Sequence, residues 1–291
     1  MTREAAARMT DNLRSSLWPA MVAALLSVAP AQAQSDKSVT GAIEASAQKA
    51  VASAQTSVSP KCSAPRELAR LERPLTRTAR LLAAGEPIRI VAIGSSSTAG
   101  AGASSPDATY PSRLAAELAD KFPDHQITVL NRGVNGEEAR EMLARFETTV
   151  IAERPDLVLW QVGTNTVLRD HPVGSTSSLI EQGIMQLKAA GADVILIDPQ
   201  FAPKVIAKSA LSRMLDLLHG KAKQYSVNLF QRFAVMRHWR ESQGIAFETF
   251  VSSDQLHMND WSYACVAKVL SNAIAEAATR PVASAAARAA P

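Results

Sequence analysis

Across residues 88–277 short apolar runs alternate with amphipathic stretches. Ile88–Ile93 carries no polar side chain except Arg89, the pattern of a strand buried on both faces of a parallel sheet. Apolar runs at Ile127–Leu130, Leu157–Val162, Val194–Ile197 and Val227–Phe230 predict four more strands. Leu114, Leu118 and Phe122 recur every four residues behind Pro111, which predicts a helix over Pro111–Phe122. Further helices are predicted near Glu138–Glu153, Ser177–Ala190, Ala207–Tyr225, Ala234–Gln243 and Asp260–Ala277, with Gly191 as a C-cap. Leucines at 68, 71, 75, 81 and 82 predict a helix interrupted by Pro74. Strands alternating with helices imply an α/β fold, a parallel sheet covered on both faces. Right-handed crossovers put every strand's carboxyl end on one edge. Loops beginning at Gly94, Asn131, Gly163 and Asp198 therefore converge on one rim.

The ends of the chain read differently. Arg3, Arg8 and Arg14 precede the apolar run Leu17–Ala29, and Ala31-Gln32-Ala33 follows. Basic, apolar, then small residues is the pattern of a secretory signal peptide over 1–33, cleaved after Ala33; the alternative is an uncleaved anchor helix. Residues 34–60 are rich in Ala, Ser, Gln, Lys and Thr and read as a flexible spacer. The domain is expected over 61–278, with its core at 88–277, and 279–291 reads as a disordered tail. No later run reaches eighteen unbroken apolar residues, so the exported chain, periplasmic or secreted, is expected to keep no stable membrane association.

With 291 residues and 47% hydrophobic content the chain can bury one large core. A net charge of +4, with scattered Lys and Arg, gives no nucleic-acid footprint. Two cysteines, Cys62 and Cys265, are compatible with one disulfide in an oxidising compartment or with two buried thiols. Metal-ligand spacing of Cys and His is absent, and no cofactor is implied.

The rim loops carry the chemistry. They hold Gly94-Ser95-Ser96-Ser97, Asn131-Arg132-Gly133-Val134-Asn135-Gly136 and Gly163-Thr164-Asn165, and Asp254-Gln255-Leu256-His257 comes late in the chain. A serine nucleophile needs a base in hydrogen-bond reach, a carboxylate to orient that base, and donors for the oxygen that becomes negative. One rim is expected to supply all these residue types. The plainer reading of Ser95–Thr98 is a turn with a helix cap. Thr98 stands where G-x-S-x-G would need its last glycine, no Gly-Lys pair marks a P-loop, and Ser105 ends the dinucleotide pattern begun by Gly100-Ala101-Gly102.

In these four blocks the sequence resembles the SGNH (GDSL-type) hydrolases. G-D-S-L corresponds to Gly94-Ser95-Ser96-Ser97, the second block's glycine to Gly136, G-x-N-D to Gly163-Thr164-Asn165-Thr166, and D-x-x-H to Asp254 and His257. Ser95 and Thr166 replace the two usual Asp residues, so the way the Ser and Asn loops are held must differ. The resemblance implies a flavodoxin-like three-layer α/β/α sandwich with a central parallel sheet. It implies Ser96 as nucleophile, His257 as base and Asp254 as its orienting carboxylate. The oxyanion would be bound by the Ser96 and Gly136 N–H groups and the Asn165 amide. The implied activity is that of an SGNH-type serine esterase on small acyl esters, often O-acetyl groups of envelope or extracellular carbohydrate. The same residues serve an O-acyltransferase, and the same fold serves a non-catalytic envelope binding protein. Of the other histidines, His125, His219 and His238 sit where structural or surface roles are expected. His171, in a rim loop beside Asp170, is the rival base.

Overall fold

The computed structural model describes residues 61–280. The expected signal peptide, the spacer 34–60 and all but the first two residues of the expected tail lie outside the described residues. Five parallel strands form one sheet in the order β2-β1-β3-β4-β5: β1 Ile88–Gly94, β2 Ile127–Gly133, β3 Leu157–Gln161, β4 Asp193–Ile197 and β5 Asn228–Phe230. In β1 every residue but Arg89 is buried, and β3 is buried throughout. Each fully buried Val or Ile contributes about 1.5–3 kcal/mol of transfer free energy. Register aligns the carboxyl ends: Gly94 lies opposite Gly133, and Gln161 opposite Ile197.

The helices fall into two sets. Asp260–Thr279 packs on Tyr110–Lys121 and on Thr76–Ala84; Tyr110–Lys121 packs on β2, and Thr76–Ala84 on β1 and β4. Val173–Ala189 packs on Ala139–Ala144, on Leu211–Gln224 and on β4, and Leu211–Gln224 packs on β5. Pro74 separates Arg66–Ala69 from Thr76–Ala84, so the leucine-rich stretch is two helices. The last helix runs through Thr279, and the Arg280 guanidinium donates to the carbonyls of Leu71 and Glu72.

Two elements differ most from the sequence pattern. β2 continues past Leu130 through Asn131, Arg132 and Gly133, which pair with Ala92, Ile93 and Gly94. It is an edge strand, and its polar residues stay partly exposed. The helix expected over Glu138–Glu153 is broken into Ala139–Ala144, Phe146–Thr149 and a 3₁₀ turn at Ile151–Glu153. Arg145 sits at the first break, with φ −116° and ψ 5°. Its guanidinium turns back to bond the Glu137 carboxylate at 2.6 Å and the Arg132 carbonyl at 2.8 Å.

Cys62 and Cys265 form a disulfide, with Cα atoms 4.9 Å apart and a sequence separation of 203. It ties the segment before the first helix to the last helix. Closing so long a loop in the unfolded chain is worth a few kcal/mol, about 5 at most. The alternative of two free thiols is set aside. Among the described residues no helix is long and apolar enough to cross a membrane.

Candidate active site

β1 delivers the chain into Ser95 and at once into a single helical turn, Ser96–Ala99. That turn lies directly on the end of β2. A Cβ at Gly133 would overlap the backbone of Thr98 and Ala99, so only glycine permits the approach. Ser95 is buried, and its N–H and hydroxyl both donate to Gln161 Oε1, at 2.9 and 3.0 Å. Ser95 thus fastens the loop to the end of β3. Ser96 is the next hydroxyl along, and it stays partly exposed.

The second part is the loop 252–257. An antiparallel bridge between Val251 and Met258 closes its base, and Ser252 N–H donates to the His257 carbonyl at 2.8 Å. Gln255 adopts φ +60°, a left-handed conformation uncommon for a side chain of this kind. The turn folds Asp254 back so that its Oδ1 accepts the N–H groups of Leu256 and His257, both at 2.9 Å. Its Oδ2 lies 2.5 Å from His257 Nδ1, and His257 Nε2 lies 2.9 Å from Ser96 Oγ. Partial burial pushes the Asp254 carboxyl up, but the hydrogen bonds from His257 and Leu256 outweigh it and hold the group below the usual carboxylate range. Ser96, His257 and Asp254 therefore form one hydrogen-bonded row, joining residues 161 apart in sequence at Ser96 and His257.

Gly136, in the turn after β2, and Asn165, in the short helix Thr164–Leu168 after β3, are brought together. Gly136 has φ +79°, which favours glycine. Asn165 Nδ2 donates one proton to the Glu137 carbonyl at 2.8 Å, which leaves the second unspent. The backbone N–H groups of Ser96 and Gly136 also reach no backbone acceptor among the described residues. No direct hydrogen bond links Gly136 or Asn165 to Ser96.

Beneath these loops runs a polar chain that the hydropathy pattern did not signal beyond a Gln at the end of an apolar strand. Gln161 Nε2 donates to Thr164 Oγ1, Thr164 Oγ1 donates to Gln200 Oε1, and Gln200 Nε2 donates to the Leu256 carbonyl. The buried Arg232 supplies Gln200 Oε1 with a further donor at 3.1 Å. The neighbours of Asn165 and of His257 are thus joined through one buried glutamine. Asp198, expected on the rim, is buried beside this network. Burial pushes its carboxyl up to about 7, against the pull of the Phe233 N–H and of Arg232. His171 lies not beside a serine but on Glu138, with Nδ1 3.0 Å from Oε1. His125 bonds the Leu82 carbonyl, and Trp160 is a core residue with no exposure. Among the described residues no group of three or more His, Cys, Asp or Glu could hold a metal ion.

Residues 61–280 match the non-GDSL lipase-like family. The chain belongs to that family. This non-GDSL lipase-like chain is 29% identical to an arylesterase of Vibrio mimicus over 125 residues, which are 43% of this chain and 61% of that one. It is 40% identical to an acetylxylan esterase of Geobacillus stearothermophilus over 50 residues, 17% of this chain and 23% of the relative. The matches thus span less than two thirds of both relatives. Among solved structures it resembles a two-domain esterase active on acetylated mannans, with TM-score 0.61 and 22% identity over 73% of this chain and 56% of that one. It also resembles the acetylxylan esterase of Geobacillus stearothermophilus, with TM-score 0.53 and 18% identity over 66% and 94% of the two chains.

Family membership corrects the SGNH (GDSL-type) resemblance. The flavodoxin-like SGNH fold class and the SGNH-type label for the enzyme both fall, and the fold is the α/β fold shared with these esterases. The physical sign was present in the two departures. Ser95 and Thr166 stand where the GDSL pattern has Asp, and their hydroxyls bond Gln161 and Glu138 instead. The loops are held by a different set of fasteners.

Proposed function

We propose that this chain is an exported serine esterase that removes small acyl groups, O-acetyl foremost, from carbohydrate. The observation that carries the reading is the row from Ser96 Oγ through His257 to Asp254, at 2.9 and 2.5 Å. Ser96 Oγ attacks the ester carbonyl while His257 Nε2 takes its proton. The tetrahedral intermediate collapses, the alcohol leaves with the proton from His257, and an acyl-serine remains. Water then repeats the sequence and releases the acid. Asp254 keeps the Nδ1 proton in place and stabilises the imidazolium. The unspent N–H groups of Ser96 and Gly136 and the second Asn165 amide proton are the donors for the oxyanion. The sequence likeness to an arylesterase and an acetylxylan esterase supports a small acyl group. The shared fold with a mannan-active esterase supports a sugar as the alcohol.

The test measures acid release from aryl acetate, butyrate and octanoate and from acetylated xylan and mannan oligosaccharides. Acetyl esters are expected to react fastest. Absence of acetate from every substrate overturns the reading, and an acetylated acceptor in place of free acetate makes the enzyme a transferase. Asn165→Ala is expected to lower kcat by about 10²–10³, with a smaller change in KM. Unchanged kcat with a lower Tm would leave Asn165 as a loop tie only.

Export rests on the leader pattern over 1–33, and the Cys62–Cys265 disulfide fits an oxidising compartment. Mass spectrometry of the extracytoplasmic protein is expected to find Gln34 at its amino terminus. An intact Met1 on cytoplasmic protein overturns this.

A further inference from the structure

Glu138 lies two residues after Gly136 and immediately before the helix Ala139–Ala144. The Glu141 carboxylate accepts its backbone N–H at 3.0 Å, which fixes it at the helix start. Its side chain crosses to the short helix Thr164–Leu168 that follows β3 and to the residues just beyond it. There Oε1 accepts Arg169 Nη1 at 2.6 Å and lies 3.0 Å from His171 Nδ1, and Oε2 accepts Thr166 Oγ1 at 3.0 Å. The carboxylate side chain is 15% exposed. Burial pushes this carboxyl up, yet the bonds from Arg169, His171 and Thr166 outweigh it and keep the group below its usual range.

The geometry around the carboxylate concerns the two loops that hold the oxyanion donors. Thr166 directly follows Asn165, and Asn165 itself donates to the carbonyl of Glu137, the residue between Gly136 and Glu138. Arg169, held by Glu138 through Nη1, lays its other terminal nitrogen against Gly136: a Cβ built there would lie 3.4 Å from Nη2. That nitrogen makes no hydrogen bond or ion pair among the described residues. The guanidinium therefore packs over the Gly136 turn. On the far side, Arg145 ties the Glu137 carboxylate to the end of β2. Without the Glu138 side chain, the bond from the Asn165 amide is the one hydrogen bond left between these two segments among the described residues.

We propose that Glu138 is a positioning residue of the oxyanion site, fixing the distance between the Gly136 N–H and the Asn165 amide by holding both loops. It touches no substrate. The inference rests on the esterase reading above. Donors to a developing oxyanion act only at hydrogen-bond distance, and a displacement of about 1 Å at such a group lowers rate by up to about 10²-fold.

The experiment compares wild type with Glu138→Ala, Glu138→Gln, Asn165→Ala and Glu138→Ala/Asn165→Ala on an aryl acetate. Activities are normalised to the folded fraction. Affinity for an arylboronic acid, which forms a tetrahedral adduct on the serine, is measured alongside. Glu138→Ala is expected to lower kcat about 10- to 100-fold with KM changed less than about threefold, and to weaken the boronate by a similar factor. Glu138→Gln keeps the size and the contact with Thr166 but loses the charge that holds Arg169, so a smaller loss is expected. In the Asn165→Ala background the Glu138 effect is expected to be smaller than in wild type, because one of the two donors whose spacing it fixes is already gone. Full additivity of the two changes, or an active wild type whose kcat and boronate affinity survive Glu138→Ala, overturns the inference alone. A wild type that hydrolyses no ester overturns the esterase reading and the inference with it.

Discussion

Ser96→Ala is expected to lower kcat toward an aryl acetate by roughly 10⁴–10⁶, with KM and Tm close to wild type. The size of the loss follows from what the hydroxyl does. Without Oγ no acyl-serine forms, and His257 can only assist direct attack by water. The oxyanion donors remain and preserve a residual rate. Stability should hold because the loop is fastened by its neighbours. Ser95 bonds Gln161 through both its N–H and its hydroxyl, and Thr98 Oγ1 meets the Tyr110 hydroxyl at 3.3 Å. Ser95→Ala is therefore the instructive control. It should disturb the loop and lower Tm while leaving a nucleophile in place. Should Ser96→Ala retain kcat within tenfold while Ser95→Ala abolishes it, the nucleophile has been assigned to the wrong serine.

What the sequence revealed depended on the range of the forces involved. β1 and β3 were readable because strands buried on both faces must be apolar along their length. β2 was cut short because its last residues, Asn131 and Arg132, are polar at a sheet edge where polarity costs little. The break at Arg145 was invisible, since the pull comes from Glu137 and the Arg132 carbonyl through a tertiary fold-back. Ser96 and Asn165 stand out as candidates because their residue types follow strand ends, and Asp254 and His257 because of their D-x-x-H spacing, all local properties. Gln161, Gln200 and Glu138 do not, because each acts on partners 66, 56 and 28 residues away that only the folded chain identifies. The family is hidden from residue matching for the same reason. Four isolated residue matches carried the GDSL resemblance, whereas Ser95 and Thr166 recorded that the surrounding fasteners are different.

Asp254→Asn is expected to lower kcat by about 10⁴-fold with little change in KM. In wild type Oδ1 is occupied by the N–H groups of Leu256 and His257, and Oδ2 faces His257 Nδ1. An asparagine keeps the backbone bonds only by placing its carbonyl at the Oδ1 position. Its NH₂ then points at Nδ1, and a donor there requires Nδ1 to be the acceptor. The neutral imidazole must carry its proton on Nε2, facing Ser96 Oγ, and can no longer take the serine's proton. Geometry survives while the tautomer is wrong, so the loss should appear in kcat and not in substrate binding. The pH dependence separates this from a stability effect. The Asp254 carboxyl is held below its ordinary range, so its contribution to stability is present above the unfolded value of about 3.9 and is lost as pH falls through the folded value. Wild type and Asp254→Asn should therefore differ in activity at every pH from 5 to 9, roughly the neutral range, whereas the acid-dependent part of their stability difference should change only below about pH 4. A variant that keeps kcat within tenfold at neutral pH would mean that His257 is oriented by something other than Asp254.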